Sequence, residues 1–287
     1  MQAGQNSRSM PVPATQKIRE FEWRDQDYKF LSALLHEKTG IVLAEKKKEM
    51  MYGRLVRRLR LLKLNSFKDY CAYLQGPSGE KELGFALNSI TTNTTSFFRE
   101  KHHFDFLREE ILPPIRREID RNPRHHVRIW SAGCSSGQEP YSIAMVMRDI
   151  LGPRGTNSRI LATDLDSAII DTARAGRYDE KICREACLKG AGHMSGGQME
   201  IRSELKNMVS FKQLNLLHDW PMTGKFDVIF CRNVMIYFDQ ETQDNLVRRF
   251  AGHLKAGGFL FVGHSESLLN ATDIFTNIGK TTYRLSS

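Results

Sequence analysis

The residues best suited to chemistry lie in one stretch, 127–145, which reads VRIWSAGCSSGQEPYSIAM. A short apolar run typical of a β-strand ends there in a turn of small residues, Ser131–Gly137, and Glu139 follows at the start of a predicted helix. A strand, a tight turn and a helix N-terminus in this order direct backbone N–H groups toward the polar groups of a ligand, and small residues let the ligand approach closely. This stretch therefore predicts a site for a nucleotide-type ligand.

The spacing around this turn favours a ligand with one nucleoside over a dinucleotide. Three residues separate Gly133 from Gly137, which departs from the G-x-G-x-x-G pattern. Asp164 ends the next predicted strand about thirty residues after the turn, whereas a dinucleotide fingerprint has its acidic residue roughly 20 residues on. S-adenosylmethionine therefore fits better than NAD. We expect Asp164 to accept hydrogen bonds from ribose hydroxyls, Asn215 to read the adenine and Glu139 to face the amino group of the ligand. Taken alone, Glu139 could instead be a helix cap, and Asp164 could belong to a strand-end turn.

The rest of the sequence indicates the elements that must position this site. Apolar residues recur at helical spacing from about 24 to 90, and from Val127 onward strands alternate with helices. This alternation predicts an α/β fold with a doubly wound, Rossmann-like parallel sheet that has helices on both faces. The predicted strands include 160–163, 226–231, 258–263 and 281–285, and the predicted helices include 104–118, 167–175 and 242–254.

The same patterns divide the chain into segments. We expect a disordered tail at 1–16, an N-terminal all-α helical domain at 17–90, and a linker with a connecting helix at 91–125. The α/β domain follows at 126–287. A glycine-rich region inside it, at about 179–212, predicts a small inserted β-subdomain.

The composition is that of an ordinary globular protein, with 287 residues, of which 40% are hydrophobic and 26% are charged. No apolar run is long enough to span a membrane and the N-terminus lacks a hydrophobic signal core, so we expect a cytoplasmic protein. The five cysteines are odd in number and form no CxxC pair, which favours reduced thiols. Cys183, Cys187 and His193 lack an apparent fourth ligand, so no metal site is expected.

Six motifs together closely resemble the chemotaxis receptor (protein-glutamate) methyltransferases, the CheR family. In chain order they are NSITTNTTSFFRE, RIWSAGCSSGQEPYSIAM, ATDLD, QLNLL, FDVIFCRNVMIYFD and GHSESL. The resemblance implies a class I methyltransferase that transfers a methyl group from S-adenosylmethionine to glutamate side chains of membrane chemoreceptors. Its products would be glutamyl methyl esters and S-adenosylhomocysteine. It also carries the family's cofactor contacts onto Asn93, Thr95, Arg99, Glu139, Asp164, Asn215, Leu216, Arg232 and Asn233, and it puts Tyr237 near the transferred methyl.

The residue types are consistent with methyl transfer to a carboxylate. A glutamate with a pKa near 4.3 is almost wholly ionised at neutral pH, so the nucleophile needs no general base. Catalysis then depends on aligning the carboxylate oxygen, the methyl carbon and the sulfonium sulfur. Arg99 could bind the carboxylate of the cofactor or orient the acceptor glutamate. Tyr237 could flank the sulfonium or pack in an apolar strand. We expect both residues to be catalytic.

A basic segment predicts how the acceptor is found. The net charge is +9, and residues 46–63 hold eight basic residues and one acidic residue. We expect a helix at 45–63 that binds acidic receptor helices through Arg54, Arg57 and Arg58. A nucleic-acid methyltransferase would use the same helix to bind phosphates, although no Asp/Asn-Pro-Pro-aromatic motif follows residues 226–231. The sequence is also consistent with a module that binds the cofactor without catalysis, and the basic face could simply be solvated.

The expected partner is therefore the cytoplasmic helical domain of membrane chemoreceptors. We expect no nucleic-acid partner and no direct membrane insertion. Nothing in the sequence demands more than a monomer, which would be recruited to membrane receptor clusters.

Overall fold

The computed structural model describes residues 19–90, 95–188 and 190–286. The tail predicted at 1–16 and the cofactor contact predicted at Asn93 lie outside these residues. Among the helices of the described ranges, none has the length and hydrophobicity that a membrane span needs.

The described residues before position 91 form helices α1 (Asp25–Thr39), α2 (Lys48–Leu62), α3 (Phe67–Gln75) and α4 (Gly79–Ile90), with a 3-10 turn at Glu45–Lys47. Their apolar faces, including Leu31 and Phe67, enclose one core. Two of the helix ends are marked by residues that commonly cap helices. Gly40 adopts a left-handed conformation with φ of 68° after α1, and the Ser66 hydroxyl accepts the N–H of Asp69 at the start of α3.

The connecting helix predicted at 104–118 is not continuous. The chain forms α5 (His102–Phe106), a π-helical turn (Leu107–Ile111) and α6 (Leu112–Arg121). Pro113 and Pro114 have no N–H to donate to the carbonyls one turn earlier, so the regular hydrogen-bond ladder is interrupted there. The helical spacing of the apolar residues therefore continues through a change of helix type.

The remaining described residues alternate between strands and helices. The strands are β1 (Arg128–Ala132), β2 (Arg159–Asp164), β3 (Arg177–Asp179), β4 (Gly192–Ser195), β5 (Gln198–Ile201), β6 (Val209–Gln213), β7 (Phe226–Cys231), β8 (Leu254–Val262), β9 (Phe275–Gly279) and β10 (Thr282–Leu285). The helices are α7 (Gln138–Leu151), α8 (Ser167–Ala175), α9 (Glu180–Glu185), α10 (Ser203–Met208) and α11 (Gln240–His253). Short 3-10 turns lie at Gly152–Asn157, Met235–Tyr237 and Leu269–Ala271.

The main sheet has the order β6-β2-β1-β7-β8-β10-β9. Strands β6, β2, β1, β7 and β8 are parallel, and the direction in which the chain adds strands reverses between β1 and β7. The doubly wound fold is thus confirmed. The prediction of a parallel sheet is wrong at one edge, because β10 pairs antiparallel with β8 and with β9. Only two residues, Lys280 and Thr281, join β9 to β10, and so short a link can only form a hairpin.

Helices cover both faces of this sheet, as predicted. In β1, Ile129 packs in one apolar cluster with Val146 of α7, and the next residue, Trp130, packs in another. The rings of Trp130 and Phe250 of α11 are 5.3 Å apart. Successive strand residues point to opposite faces, so β1 supplies both cores.

The inserted β-subdomain is a three-stranded sheet of order β3-β5-β4. Its strands span Arg177–Ile201, so the range predicted for the insertion extends too far at its C-terminal end. Residues 209–213 are β6, which pairs in parallel with β2 at the edge of the main sheet. The alternation of apolar and polar residues is the same in both sheets, so the pattern alone could not separate β6 from the insertion.

Candidate functional site

A cavity of about 300 Å³ lies at the carboxyl ends of β1, β2 and β7. Doubly wound sheets bind ligands at this reversal of strand order, and the volume is within the range of small-molecule sites, about 300–1,000 Å³. The cavity is lined by the predicted site residues Thr95, Arg99, Glu139, Asp164, Asn215, Leu216, Arg232, Asn233 and Tyr237. The fold thus brings together side chains that are up to 142 positions apart in the sequence.

The three arginines predicted to bind the acceptor lie on α2 and do not line this cavity. Arg58 donates two hydrogen bonds to the carboxylate of Glu82, at 2.9 and 2.6 Å, and Arg54 donates to the carbonyl of Ile90 at 2.6 Å. Arg57 is exposed. Arg57 therefore presents its charge to solvent, whereas Arg58 is engaged inside the helical domain.

The turn after β1 is held by the end of β2. Gly133 and Ser135 have positive φ angles of 82° and 51°. The N–H of Gly133 donates a hydrogen bond to the carbonyl of Thr163, which holds the turn against β2. One oxygen of Asp164 accepts the N–H of Ser135 at 2.8 Å, and the other accepts the N–H of Asp166 at 3.1 Å. Each carboxylate oxygen can accept a further bond. Burial raises the pKa of Asp164. Asp164 therefore both shapes the turn and has acceptor capacity for a ligand.

Glu139 and Arg232 form a buried ion pair at the floor of the cavity. One oxygen of Glu139 accepts the hydroxyl of Ser131 at 2.7 Å, and the other lies 3.0 Å from a guanidinium nitrogen of Arg232. Arg232 also lies 3.3 Å from Glu100 and donates to the carbonyl of Arg99. Burial raises the pKa of Glu139, and the positive charge of Arg232 opposes that rise. The pair thus ties the start of α7 and the Arg99 segment to the end of β7.

Glu100 is the centre of a cluster of histidines next to this pair. His264 lies 2.9 Å from one Glu100 oxygen and His103 lies 3.6 Å from the other. Burial would raise the pKa of Glu100, but the hydrogen bond from His264 and the charge of Arg232 lower it to about 2. Glu100, His102 and His103 are close enough to hold a metal ion. The adjacent guanidinium of Arg232 would repel such an ion, so this cluster is better described as an ion-pair network.

Tyr237 lies on a loop that joins β7 to α11. It ends the 3-10 turn at Met235–Tyr237 and is half-buried at the cavity, so the hypothesis that it packs in an apolar strand is wrong. Lys47 lies with its ammonium nitrogen 4.9 Å from the centre of the Tyr237 ring. Burial, reinforced by the charges of Lys46 and Arg54, lowers the pKa of Lys47. The half-buried ammonium of Lys47 therefore lies next to the ring of Tyr237.

One wall of the cavity comes from the helical domain, which no sequence pattern predicted. Thr39, the last residue of α1, Ile41, which follows that helix, and Leu87 of α4 line it. Nearby, Asn215 donates to the carbonyl of Lys38 at 3.3 Å, and the N–H of Val42 donates to the carbonyl of Tyr237 at 2.7 Å. Nothing local marks Thr39, Ile41 or Leu87, because they look like ordinary helix-end and core residues.

Glu266 was also missed, although it lies in the motif GHSESL. It is 6% exposed, and its carboxylate accepts the N–H groups of Gly263 at 2.5 Å, Asn233 at 2.8 Å and Ile236 at 3.2 Å. Burial raises its pKa, and these hydrogen bonds oppose the rise. The sequence did contain a signal for Glu266, because it is a carboxylate within a motif of mostly small and polar residues that follows a predicted strand.

Cys134 and Cys231, which flank the site in sequence, are buried as packing residues. Burial raises the pKa of both thiols well above the ordinary value. A protonated thiol is a poor nucleophile, so covalent catalysis by either cysteine is disfavoured.

The chain matches two family profiles and several curated relatives. The profiles are "CheR methyltransferase, all-alpha domain" at residues 26–91 and "CheR methyltransferase, SAM binding domain" at residues 93–284. Chemotaxis protein methyltransferase 2 of Pseudomonas aeruginosa is 40% identical over 92% of this chain and 95% of the relative. The chemotaxis protein methyltransferases of Klebsiella aerogenes and Escherichia coli are 42% and 41% identical, over 91% and 97% of this chain and 90% and 98% of theirs.

Proposed function

The chain belongs to the CheR methyltransferase family, and from this premise we propose how its residues carry out methyl transfer. The protein is an S-adenosylmethionine-dependent methyltransferase of chemotaxis. Its acceptors are glutamate side chains in the cytoplasmic helical domain of membrane chemoreceptors. The observation that carries this proposal is the convergence of Arg99, Glu139, Asp164 and Tyr237 on one cavity at the strand-order reversal.

The groups around the cavity fit the cofactor, which supplies an electrophilic methyl group on a sulfonium when bound. Asp164 and Leu216 both line the cavity. Asp164 would accept hydrogen bonds from the ribose hydroxyls, and Leu216 would offer an apolar surface to the adenine. Arg99 binds the carboxylate of the cofactor as a charge-assisted pair. Asn93, Thr95, Glu139, Asn215, Arg232 and Asn233 complete the set of proposed cofactor contacts.

Methyl transfer requires alignment and no proton movement. With S-adenosylmethionine bound, a carboxylate oxygen of the acceptor glutamate would attack the methyl carbon, and the carbon–sulfur bond would break with its electron pair remaining on sulfur. The products are a glutamyl methyl ester and S-adenosylhomocysteine. Tyr237 directs the acceptor toward the methyl group, and such alignment can contribute roughly 7–11 kcal/mol in favourable cases.

The charges near Tyr237 support an anionic acceptor. Lys47 holds an ammonium 4.9 Å from the centre of the tyrosine ring. On the adjoining helix α2, Arg57 is exposed and Arg54 is half-buried. A basic surface that begins at Lys47 and continues along α2 attracts an acidic receptor helix. Because Arg58 is paired with Glu82, its contribution to receptor binding is indirect, through the position of α2.

The protein acts as a cytoplasmic monomer that is recruited to receptor clusters in the membrane. Light scattering coupled to size-exclusion chromatography measures the mass in solution. A mass equal to that of two chains at micromolar concentration would contradict the proposal that the protein is a monomer.

The proposed function is tested by incubating the protein with methyl-labelled S-adenosylmethionine and membranes that contain chemoreceptors. We expect label on the receptor that is released by base, because methyl esters hydrolyse in base whereas methylated amines do not. The matched control is a receptor whose methylation-site glutamates are replaced by alanine, which should take up no label. Label on RNA or DNA, or base-stable label on the receptor, would contradict the proposal.

A further inference from the structure

Glu266 is a buried carboxylate that none of the roles above uses. The partners of its two oxygens are backbone N–H groups, of Gly263 and Asn233 for one oxygen and of Ile236 for the other. Burying a carboxylate is costly unless hydrogen bonds compensate. An apolar residue would be the ordinary occupant of a position that is 6% exposed. The reason for a glutamate at this position must therefore lie in the backbone segment to which its carboxylate is hydrogen-bonded.

That segment is the loop at 233–237, which forms part of the cavity wall. Asn233, Val234, Ile236 and Tyr237 line the cavity. Asn233 has a φ of 58°, a left-handed conformation that asparagine tolerates but that breaks the regular backbone at the end of β7. The 3-10 turn at Met235–Tyr237 has three residues, too few to hold its own shape. The loop therefore needs an anchor from outside, and the Glu266 carboxylate supplies one.

The end of β8 packs tightly against this loop. A Cβ atom at Gly263 would lie 2.8 Å from the backbone nitrogen of Asn233 and 2.8 Å from a carboxylate oxygen of Glu266. Real Cβ atoms do not approach other atoms so closely, so glycine is required where the two segments meet. The three N–H groups thus converge on the carboxylate from two elements with little room for adjustment.

We propose that Glu266 is the positioning residue for methyl transfer: its carboxylate holds the backbone at 233–237 so that Tyr237 meets the acceptor and the methyl group. This inference rests on the role proposed above for Tyr237. A carboxylate suits the task because both of its oxygens accept hydrogen bonds. A glutamine would turn its NH₂ group toward one of the same N–H donors and leave that donor unpaired.

The test compares steady-state receptor methylation by Glu266→Gln and by the wild type. We expect kcat to fall roughly ten- to hundredfold, because a misplacement of about 1 Å costs up to 10²-fold, while KM for the receptor changes little. Asp227→Asn is the matched control. Asp227 also accepts a backbone N–H, that of Arg128 at 2.8 Å, but it lies at the opposite end of the sheet from the cavity. The kcat of Asp227→Asn should therefore equal that of the wild type. Wild-type kcat in Glu266→Gln would overturn the inference.

A double-mutant cycle with Tyr237→Phe separates positioning from general destabilisation. If Glu266 acts through Tyr237, the double variant has a kcat within about threefold of Tyr237→Phe alone. Losses that multiply, or full activity of Tyr237→Phe, would overturn the inference. Wild-type protein that fails to methylate receptors would instead contradict the proposed function.

A second measurement covers the case in which Glu266→Gln does not fold. Glu266→Asp then takes its place in the cycle, and amide hydrogen exchange of the wild type reports on the anchor directly. We expect the N–H groups of Asn233 and Ile236 to exchange at least tenfold more slowly than unbonded loop amides. Unprotected exchange at both positions would overturn the inference.

Discussion

Among individual residues, the buried charges at the floor of the cavity do most to define the site. Arg232 pairs with Glu139 at 3.0 Å and with Glu100 at 3.3 Å, and it donates to the carbonyl of Arg99. Removing one member of a buried ion pair leaves the other charge uncompensated, which costs more than the pair contributes. Substitutions at Arg232 or Glu139 would therefore disturb the shape of the site as well as any contact with the cofactor.

His103 makes stability depend on pH. It is fully buried, and burial together with the charge of Arg232 lowers its pKa to about 3. In the unfolded chain its pKa is about 6.5, so the unfolded state takes up the proton first as pH falls. The stability that neutral His103 contributes is complete above pH 6.5 and is lost progressively from there to pH 3. We expect this group to lower the free energy of unfolding by about 1 kcal/mol between pH 6 and pH 5.

Urea unfolding at pH 6 and pH 5 measures this loss. His103→Gln should remove that part of the pH dependence, whereas His102→Gln, at the half-buried neighbouring position, should keep it. Equal pH dependence in His103→Gln and the wild type would show that His103 is not the group responsible.

Lys47 gives a prediction about the acceptor. Its ammonium lies beside Tyr237, and Lys46 on the same turn is exposed. We expect Lys47→Met to raise KM for the receptor roughly tenfold, as loss of one charge-assisted contact of about 1.5 kcal/mol would do. KM for S-adenosylmethionine should not change. Lys46→Met removes the same charge nearby and serves as the control in initial-rate assays. A similar rise in both variants would indicate general attraction rather than contact at Tyr237.

Of the secondary-structure elements, helix α2 carries both a structural arginine and an arginine that we propose binds the receptor, and its sequence does not distinguish the two. Arg58 binds Glu82, whose carboxylate also accepts the hydroxyl of Tyr70 at 2.8 Å. This buried network joins α2 to α3 and α4. Arg57, one residue earlier, faces solvent. A run of basic residues thus contains a structural arginine next to one that is available to a partner.

Alanine substitutions should separate the two functions. Arg58→Ala leaves the buried Glu82 without its cation, so we expect a loss of about 3 kcal/mol in the free energy of unfolding. Arg57→Ala should leave stability within about 0.5 kcal/mol and raise KM for the receptor. Chemical denaturation and methylation rates measure the two effects. As a control, Arg60→Ala breaks the exposed pair with Glu20 and should leave the free energy of unfolding nearly unchanged, because solvent screens an exposed ion pair. A stable Arg58→Ala variant would contradict the structural role.

In the molecule as a whole, the cavity is complete only where the helical domain meets the sheet domain. Thr39 and Ile41 line it on one side, and the loop that carries Tyr237 lines it on the other. Gly40 lies between the two lining residues of the helical domain. Its φ is 68°, and an added Cβ would lie 2.0 Å from a methyl carbon of Leu217.

Gly40→Ala should therefore weaken cofactor binding from a distance. The left-handed conformation costs alanine roughly 1–2 kcal/mol, and the displaced Thr39 and Ile41 should raise Kd for S-adenosylhomocysteine several-fold by isothermal titration. Gly53→Ala is the matched control. A Cβ there meets nothing within 4 Å, so the added methyl group fits without displacing a neighbour. Gly53→Ala should stabilise α2 by about 1 kcal/mol and leave the Kd for S-adenosylhomocysteine unchanged.

Local features were predictable because each depends on neighbours in the chain. The caps at Gly40 and Ser66, the strand at 226–231 and the helix at 167–175 follow from periodicity and capping residues. The start of the helix at 138–151 follows from the small-residue turn. The cofactor contacts rested on the family resemblance, and their roles stay predictions.

Sequence alone determined the family, the α/β fold and the types of side chain available for methyl transfer, because these are written in short motifs and their order. Tertiary structure alone decided which motif-flanking residues share a surface. It assigned β6 to the main sheet, brought Thr39 and Ile41 to the cavity, paired Arg58 with Glu82, and brought Glu266 to the Tyr237 loop. These relations join residues far apart in the chain. They arise from packing and from the need of buried polar groups for hydrogen-bond partners. Neither of these can be predicted from a local sequence pattern.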